Sequence, residues 1–156
     1  MAKALIPLII ACTLACSPRA NCPPAELHTA EGAEKALNDY YAAVSRDGLM
    51  AEFAYLDSSE AFFWVPPGYT AAIGFDSVAS AIRRNANQWR HIEIGFDTVA
   101  VHLTGPQTAT YSGRLHAEMT DTAGNVTDIH LVETGTLIRR ADGWKLLCGQ
   151  TSLIPR

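Results

Sequence analysis

The chain lacks most of the signatures by which a chemistry announces itself. Its 12 Lys and Arg residues, set against 16 Asp and Glu, form no stripe; Arg83-Arg84 and Arg139-Arg140 are isolated pairs. That argues against a nucleic-acid partner, which needs a basic face. The five His residues make no His-x-His, His-x-x-x-His or His-Glu-x-x-His spacing, so no metal centre is expected. His116 and His130 could meet diagonally on adjacent strands, but two ligands on a convex surface make a poor site. There is no Gly-x-Ser-x-Gly elbow and no phosphate-cradling glycine loop, and no cofactor is implied. Internal repeats are absent, and so is a second linker, so one domain is expected from 156 residues.

Only one long apolar run is present, and it lies at the start. Lys3 is followed by Ala4 to Ala15 and then Cys16. The run is too short to span a bilayer comfortably and reads as a signal peptide over residues 1–15. Thr13-Leu14-Ala15-Cys16 resembles a bacterial lipobox, with Thr13 in place of the usual Leu and Leu14 larger than usual. Cys16 is therefore the expected lipidation site, and Ser17 resembles the residue that permits sorting to the outer membrane. Residues 16–27, with Pro18, Pro23 and Pro24, read as a tether. The expected location is the periplasmic face of the envelope, with membrane attachment through the lipid. Cys22 and Cys148 could form a disulfide there, worth about 4–5 kcal/mol in a chain-entropy account. Alternatively, Cys148 is simply a small wall or core residue.

The domain itself, residues 28–156, begins with helical sequence. Thr29 can cap a helix whose apolar face carries Leu37, Tyr40, Tyr41 and Val44, and Gly48 stops it. Leu49, Met50, Phe53 and Leu56 continue into a short second helix. Glu60 to Val65 reads as a strand, and Gly74-Phe75-Asp76 opens a third helix with Asp76 as its cap. His91 to Leu103 reads as a long strand, bent near Gly95. Three further strands follow at about Thr108–Met119, Val126–Arg139 and Trp144–Leu153, joined by Gly/Asn/Asp turns.

This order, with Ala36-Leu37-Asn38-Asp39-Tyr40-Tyr41, Glu60 to Gly68, Gly74 to Ala79 and Asp142-Gly143-Trp144-Lys145, resembles the nuclear transport factor 2-like superfamily. Its members include SnoaL-like cyclases, ketosteroid isomerases and scytalone dehydratase. The resemblance implies an α+β cone-shaped barrel, a curved antiparallel sheet wrapped around N-terminal helices, a pocket in its concave face, and frequently a homodimer. It does not imply one activity. Where the family often carries His near the positions of Cys148 and Gln150, this chain does not, which weakens any borrowed proton-transfer mechanism.

Strand parity sorts the side chains. Ala109, Tyr111, Gly113, Leu115, Ala117 and Met119 face one way, leaving Arg114, His116 and Glu118 outward. In the next strand Ile129, Leu131, Gly135 and Leu137 look inward, and Glu133 goes with them. A carboxyl in apolar surroundings has its pKa raised, which suits a general base, so Glu133 is the candidate catalytic group. No second inward carboxylate of similar quality is evident, and Glu60 sits exposed at a strand mouth. In the last strand Trp144, Leu146, Cys148 and Gln150 share a face. The expected pocket is lined by Tyr41, Phe53, Trp64, Trp89 and Tyr111, with Glu133 and Gln150 as polar groups. The same aromatics could equally be core. The reading is an envelope-associated, non-catalytic protein binding a small hydrophobic molecule. An isomerase, dehydratase or cyclase using Glu133 as base is the alternative, and a structural or assembly module of the envelope is the second alternative.

Overall fold

Thr29 opens helix α1 (Ala30–Asp47) by accepting the Gly32 N–H at 3.0 Å, and Gly48, at φ 79°, closes it by donating to the Val44 carbonyl. The computed structural model describes residues 29–155. The signal segment, Cys16, the tether and Cys22 lie outside them, and with Cys22 so does the Cys22–Cys148 bridge. After α1 come a 3₁₀ helix (Leu49–Ala54), strand β1 (Phe63–Val65), helix α2 (Phe75–Asn85) and four long strands: β2 (Trp89–Gly105), β3 (Thr108–Asp121), β4 (Val126–Arg140) and β5 (Gly143–Leu153). None of the helices among the described residues is long and apolar enough to cross a membrane.

The sheet runs β1-β5-β4-β3-β2. The last four strands form an antiparallel meander, and β1 joins it in parallel beside β5, pairing Trp64 with Gly149. The sheet is thus mixed. It curls because β2 breaks register at three places, including Asp97 between Phe96 and Thr98, two residues beyond the bend expected at Gly95. α1 lies in the hollow. Ala33, Leu37, Tyr40, Tyr41 and Val44 are buried on one helical stripe. Ser45 pins the helix to β2: its hydroxyl donates to the Ile94 carbonyl at 3.1 Å and accepts the Ile94 N–H at 3.0 Å. Leu37, Leu115 and Leu137 are sealed in the core, where Leu→Ala typically costs about 2–5 kcal/mol.

Two local expectations differ from the structure. β1 begins at Phe63 rather than Glu60, because Asp57 accepts the Ser59 N–H at 3.0 Å and its hydroxyl, nucleating a turn that ends with Phe62 N–H donating to the Ser59 carbonyl. The other Asp57 oxygen holds Arg140 at 2.6 Å, and these bonds keep its carboxyl down at about 2. The N-cap of α2 is Gly74 rather than Asp76, which falls in the first turn. Phe75 is drawn into the helix by edge contacts with Phe62 and Phe53, at 5.7 and 6.4 Å between ring centroids.

Candidate functional site

Between α1, the 3₁₀ helix, α2 and the concave face of the sheet lies a cavity of about 420 Å³, a common size for a small-molecule site. Tyr40, Tyr41, Phe62, Trp64 and Tyr69 supply aromatic walls, and Val78, Ile82, Ile94, Leu115 and Leu131 supply aliphatic ones. Its polar groups are few: Glu52, Asn85, Glu133, Thr151 and the tyrosine hydroxyls. No Lys, Arg or His is among the described lining residues.

Glu133 sits at the bottom, 3% exposed. One of its oxygens accepts the hydroxyls of Tyr41 at 2.7 Å and Tyr111 at 2.8 Å; the other accepts Tyr41 at 2.8 Å and Thr151 at 3.0 Å. Thr151 in turn accepts the indole N–H of Trp64 at 3.2 Å. Three hydroxyl donors thus converge on the carboxylate, Tyr41 shared between its two oxygens, and each oxygen is engaged twice. Burial raises the Glu133 pKa, while the three hydroxyls pull it back down. Tyr41 and Tyr111 are pushed well above their ordinary values, first by burial and then by the Glu133 charge.

The structure supplies a second cavity carboxylate. Glu52, half-buried on the 3₁₀ helix, accepts the Tyr40 hydroxyl at 3.0 Å on one oxygen; no described residue donates to the other. Burial lifts its pKa to about 7, the Tyr40 bond opposes the rise, and the charge of Glu133 adds to it. Tyr40 and Tyr41 are chain neighbours with ring centroids 4.5 Å apart, so adjacent positions of one helix each hold a carboxyl. In a 3₁₀ helix residues three apart eclipse, so Leu49 and Glu52 both reach the cavity.

The remaining expected site residues divide. Tyr41, Trp64 and Glu133 line the cavity, and Tyr111 touches it through Glu133. Phe53 lies outside the lining, against Phe75 and beneath Arg83, whose guanidinium sits 4.9 Å from its ring centroid. Trp89, at the start of β2, is half-buried against the core rather than in the cavity wall. Gln150 is exposed. The cause is a bulge: Leu146 pairs with Leu137 and Cys148 with Thr136, so Leu147 is an extra residue and alternation reverses beyond it. Thr151 therefore points at Glu133 where Gln150 was expected, and half-buried Cys148 stands opposite Thr136. Gly149 faces inward, and a Cβ there would come within 2.8 Å of the Trp64 ring.

On the outer face His116 and His130 are directly opposite, not diagonal, and Asp128 joins them. Their ligand atoms fall within 4.8 Å of one another. His116 Nε2 pairs with Asp128 at 3.0 Å, and the two imidazoles stack at 4.7 Å and 17°. Stacked rings hold their in-plane lone pairs side by side rather than converging on a common ion, so this trio is a His–Asp hydrogen bond with a stacked neighbour.

The SnoaL-like domain model matches residues 33–156. Among curated proteins none matches the chain. Among solved structures, a nuclear transport factor 2-like superfamily protein from Salmonella enterica serovar Typhimurium superposes with a TM-score of 0.68 at 13% identity, over 81% of this chain and 91% of that one. A proposed dehydratase of the same family from Streptomyces avermitilis gives 0.67 at 20% identity, over 81% and 97%. A hexachlorocyclohexane dehydrochlorinase, LinA type 2, gives 0.64 at 12% identity, over 80% and 85%. At these identities the likeness establishes the fold alone.

Proposed function

The chain belongs to the SnoaL-like domain family, and from that premise we propose that its cavity binds a small, largely apolar molecule without transforming it. The observation that carries this reading is the state of Glu133: the most deeply buried carboxylate has both oxygens engaged by Tyr41, Tyr111 and Thr151, so it shapes the cavity floor rather than attacking a substrate. Apolar walls with a few convergent polar groups suit such binding. Ligand-observed NMR with a panel of apolar compounds tests it. Several should show saturation transfer that Leu115→Trp, which fills the cavity, removes; a panel with no binder refutes the reading.

A second reading is favoured by Glu52. A cavity carboxyl with an open oxygen and a pKa of about 7 suits proton abstraction at neutral pH, and two of the similar structures carry the names dehydratase and dehydrochlorinase. This reading makes the protein an isomerase, dehydratase or cyclase with Glu52, not Glu133, as base. Solvent-deuterium exchange at the α-carbon of cyclic ketones, lost in Glu52→Gln, would support it; no exchange with any bound ketone refutes it.

Attachment to the periplasmic side of the outer membrane through Cys16 belongs to the same proposal, supported by the apolar run behind Lys3. So does homodimerisation through the outer face of the sheet, where exposed Val132 stands between Arg114 and Ser152 on the neighbouring strands.

A further inference from the structure

We propose that the molecule this cavity accepts is an apolar amine, its ammonium group held on the open oxygen of Glu52 against the aromatic wall. The inference rests on the binding reading above and narrows it to a ligand class.

The charge inventory of the cavity decides the class. Two carboxyls line it, and no cationic side chain lies among the described lining residues. A carboxylate or phosphate ligand would meet like charge with nothing to offset it. A cation would meet the reverse. Glu133 cannot serve as the contact, because Tyr41, Tyr111 and Thr151 occupy its oxygens. Glu52 can: Tyr40 takes one oxygen at 3.0 Å and no described residue donates to the other. An ammonium carries three donors and no acceptor, so it complements an open carboxylate oxygen better than a hydroxyl does. Tyr40 stands beside it, and Phe62, Trp64 and Tyr69 line the same cavity, so aromatic surface, a partner that a desolvated cation takes, is at hand. The rest of the wall is apolar, so the body of the amine is hydrocarbon.

A bound cation also relieves the repulsion between the two cavity carboxyls. The charge of Glu133 opposes ionisation of Glu52, which titrates at about 7. An ammonium beside Glu52 reverses that influence and favours the ionised carboxylate. Other groups around Glu52 are otherwise engaged. Tyr40 and Tyr41 on α1 are raised well above their ordinary values and stay neutral. On α2, Arg83 lies over the Phe53 ring. On β5, Lys145 binds the Ala54 carbonyl at 2.5 Å and pairs with Asp142 at 2.8 Å. Amine binding should therefore strengthen as pH rises through about 7, since Glu52 must be ionised while the amine remains protonated.

Matched probes test this on the full chain. Calorimetry or ligand-observed NMR would compare 1-aminoadamantane, 1-adamantanol and adamantane-1-carboxylate, and likewise 2-phenylethylamine, 2-phenylethanol and phenylacetate. The amines should bind at least about tenfold more tightly than the alcohols at pH 8, a difference of about 1.4 kcal/mol, and the carboxylates not measurably. That preference should shrink at pH 5.5 and vanish in Glu52→Gln. Alcohols binding as tightly as amines, or a preference that survives Glu52→Gln, overturns the inference and leaves the binding reading standing. If no head group of either body binds, the binding reading itself fails. Should Glu52→Gln not fold, the pH dependence of the unmodified protein decides alone.

Discussion

Replacing Glu133 with Gln separates a structural carboxylate from a ligand-binding one. The amide keeps one acceptor oxygen, enough for two of the three hydroxyls from Tyr41, Tyr111 and Thr151. Its nitrogen, however, presents protons to a hydroxyl that must now turn around. If the nitrogen faces Thr151, that hydroxyl already accepts the Trp64 indole N–H, and its own proton loses its acceptor. One orphaned buried donor costs about 1–3 kcal/mol. For a domain of this size about 3–5 °C of Tm accompanies each kcal/mol, so thermal unfolding at pH 7 should show a fall of roughly 3–15 °C with probe binding retained. The pH dependence carries a sign. Because burial raises the Glu133 pKa in the folded state, the parent protein loses stability as pH rises from the unfolded value toward the folded one, whereas Gln does not titrate. The penalty should therefore be larger at pH 5 than at pH 8. A penalty that grows with pH would mean the hydroxyls outweigh burial. An unchanged Tm with abolished probe binding would make Glu133 a ligand group and refute the argument.

Other outcomes follow from the same contacts. Glu52→Gln should leave stability near pH 4.5 little changed and raise it above pH 7, because Glu52, lifted to about 7 by burial, makes the folded state less favourable as pH climbs through that window; chemical denaturation at the two pH values measures it. Mass spectrometry of protein from its native host should find a diacylglyceryl-modified Cys16, and an intact Met1 would refute the anchor. Sedimentation of a chain lacking residues 1–26 should give a dimer that Val132→Glu dissociates, and a monomer at tens of micromolar, the order expected for weak association, would refute the outer-face interface.

The parity of β3 and β4 is legible because nothing interrupts it: Ala109 to Ala117 and Ile129 to Leu137 alternate without an extra residue, and Glu133 falls where alternation puts it. β5 defeats the same reasoning. Its bulge at Leu147 is marked by neither Gly nor Pro at that position and shows only in the pairing with β4, where Leu146 and Cys148 take consecutive partners, Leu137 and Thr136. Glu52 stays hidden for a different reason. Residues three apart share a face in either helix type, so Leu49 and Glu52 travel together; what the sequence does not carry is the packing that sets this face against Tyr40 of α1. The parallel seating of β1 is equally unreadable, since three residues pair with a strand more than eighty positions away in the chain. The aromatic count in the cavity was half visible, because Trp64 follows strand alternation, while Phe53 and Trp89 were diverted by contacts with α2 and the core.

The extra residue in β5 acts like a frame shift. Before it, the even positions Trp144 and Leu146 serve the interior; after it, the odd positions Gly149 and Thr151 do. A substitution scan along the strand should consequently show intolerance at 144 and 146, relief across 147 and 148, and intolerance again at 149 and 151. The strand thus carries two phases of mutational sensitivity on one backbone. Deleting Leu147 should leave the pairing of Thr151 with Glu133 in place, because the residue removed is the one that no partner claims.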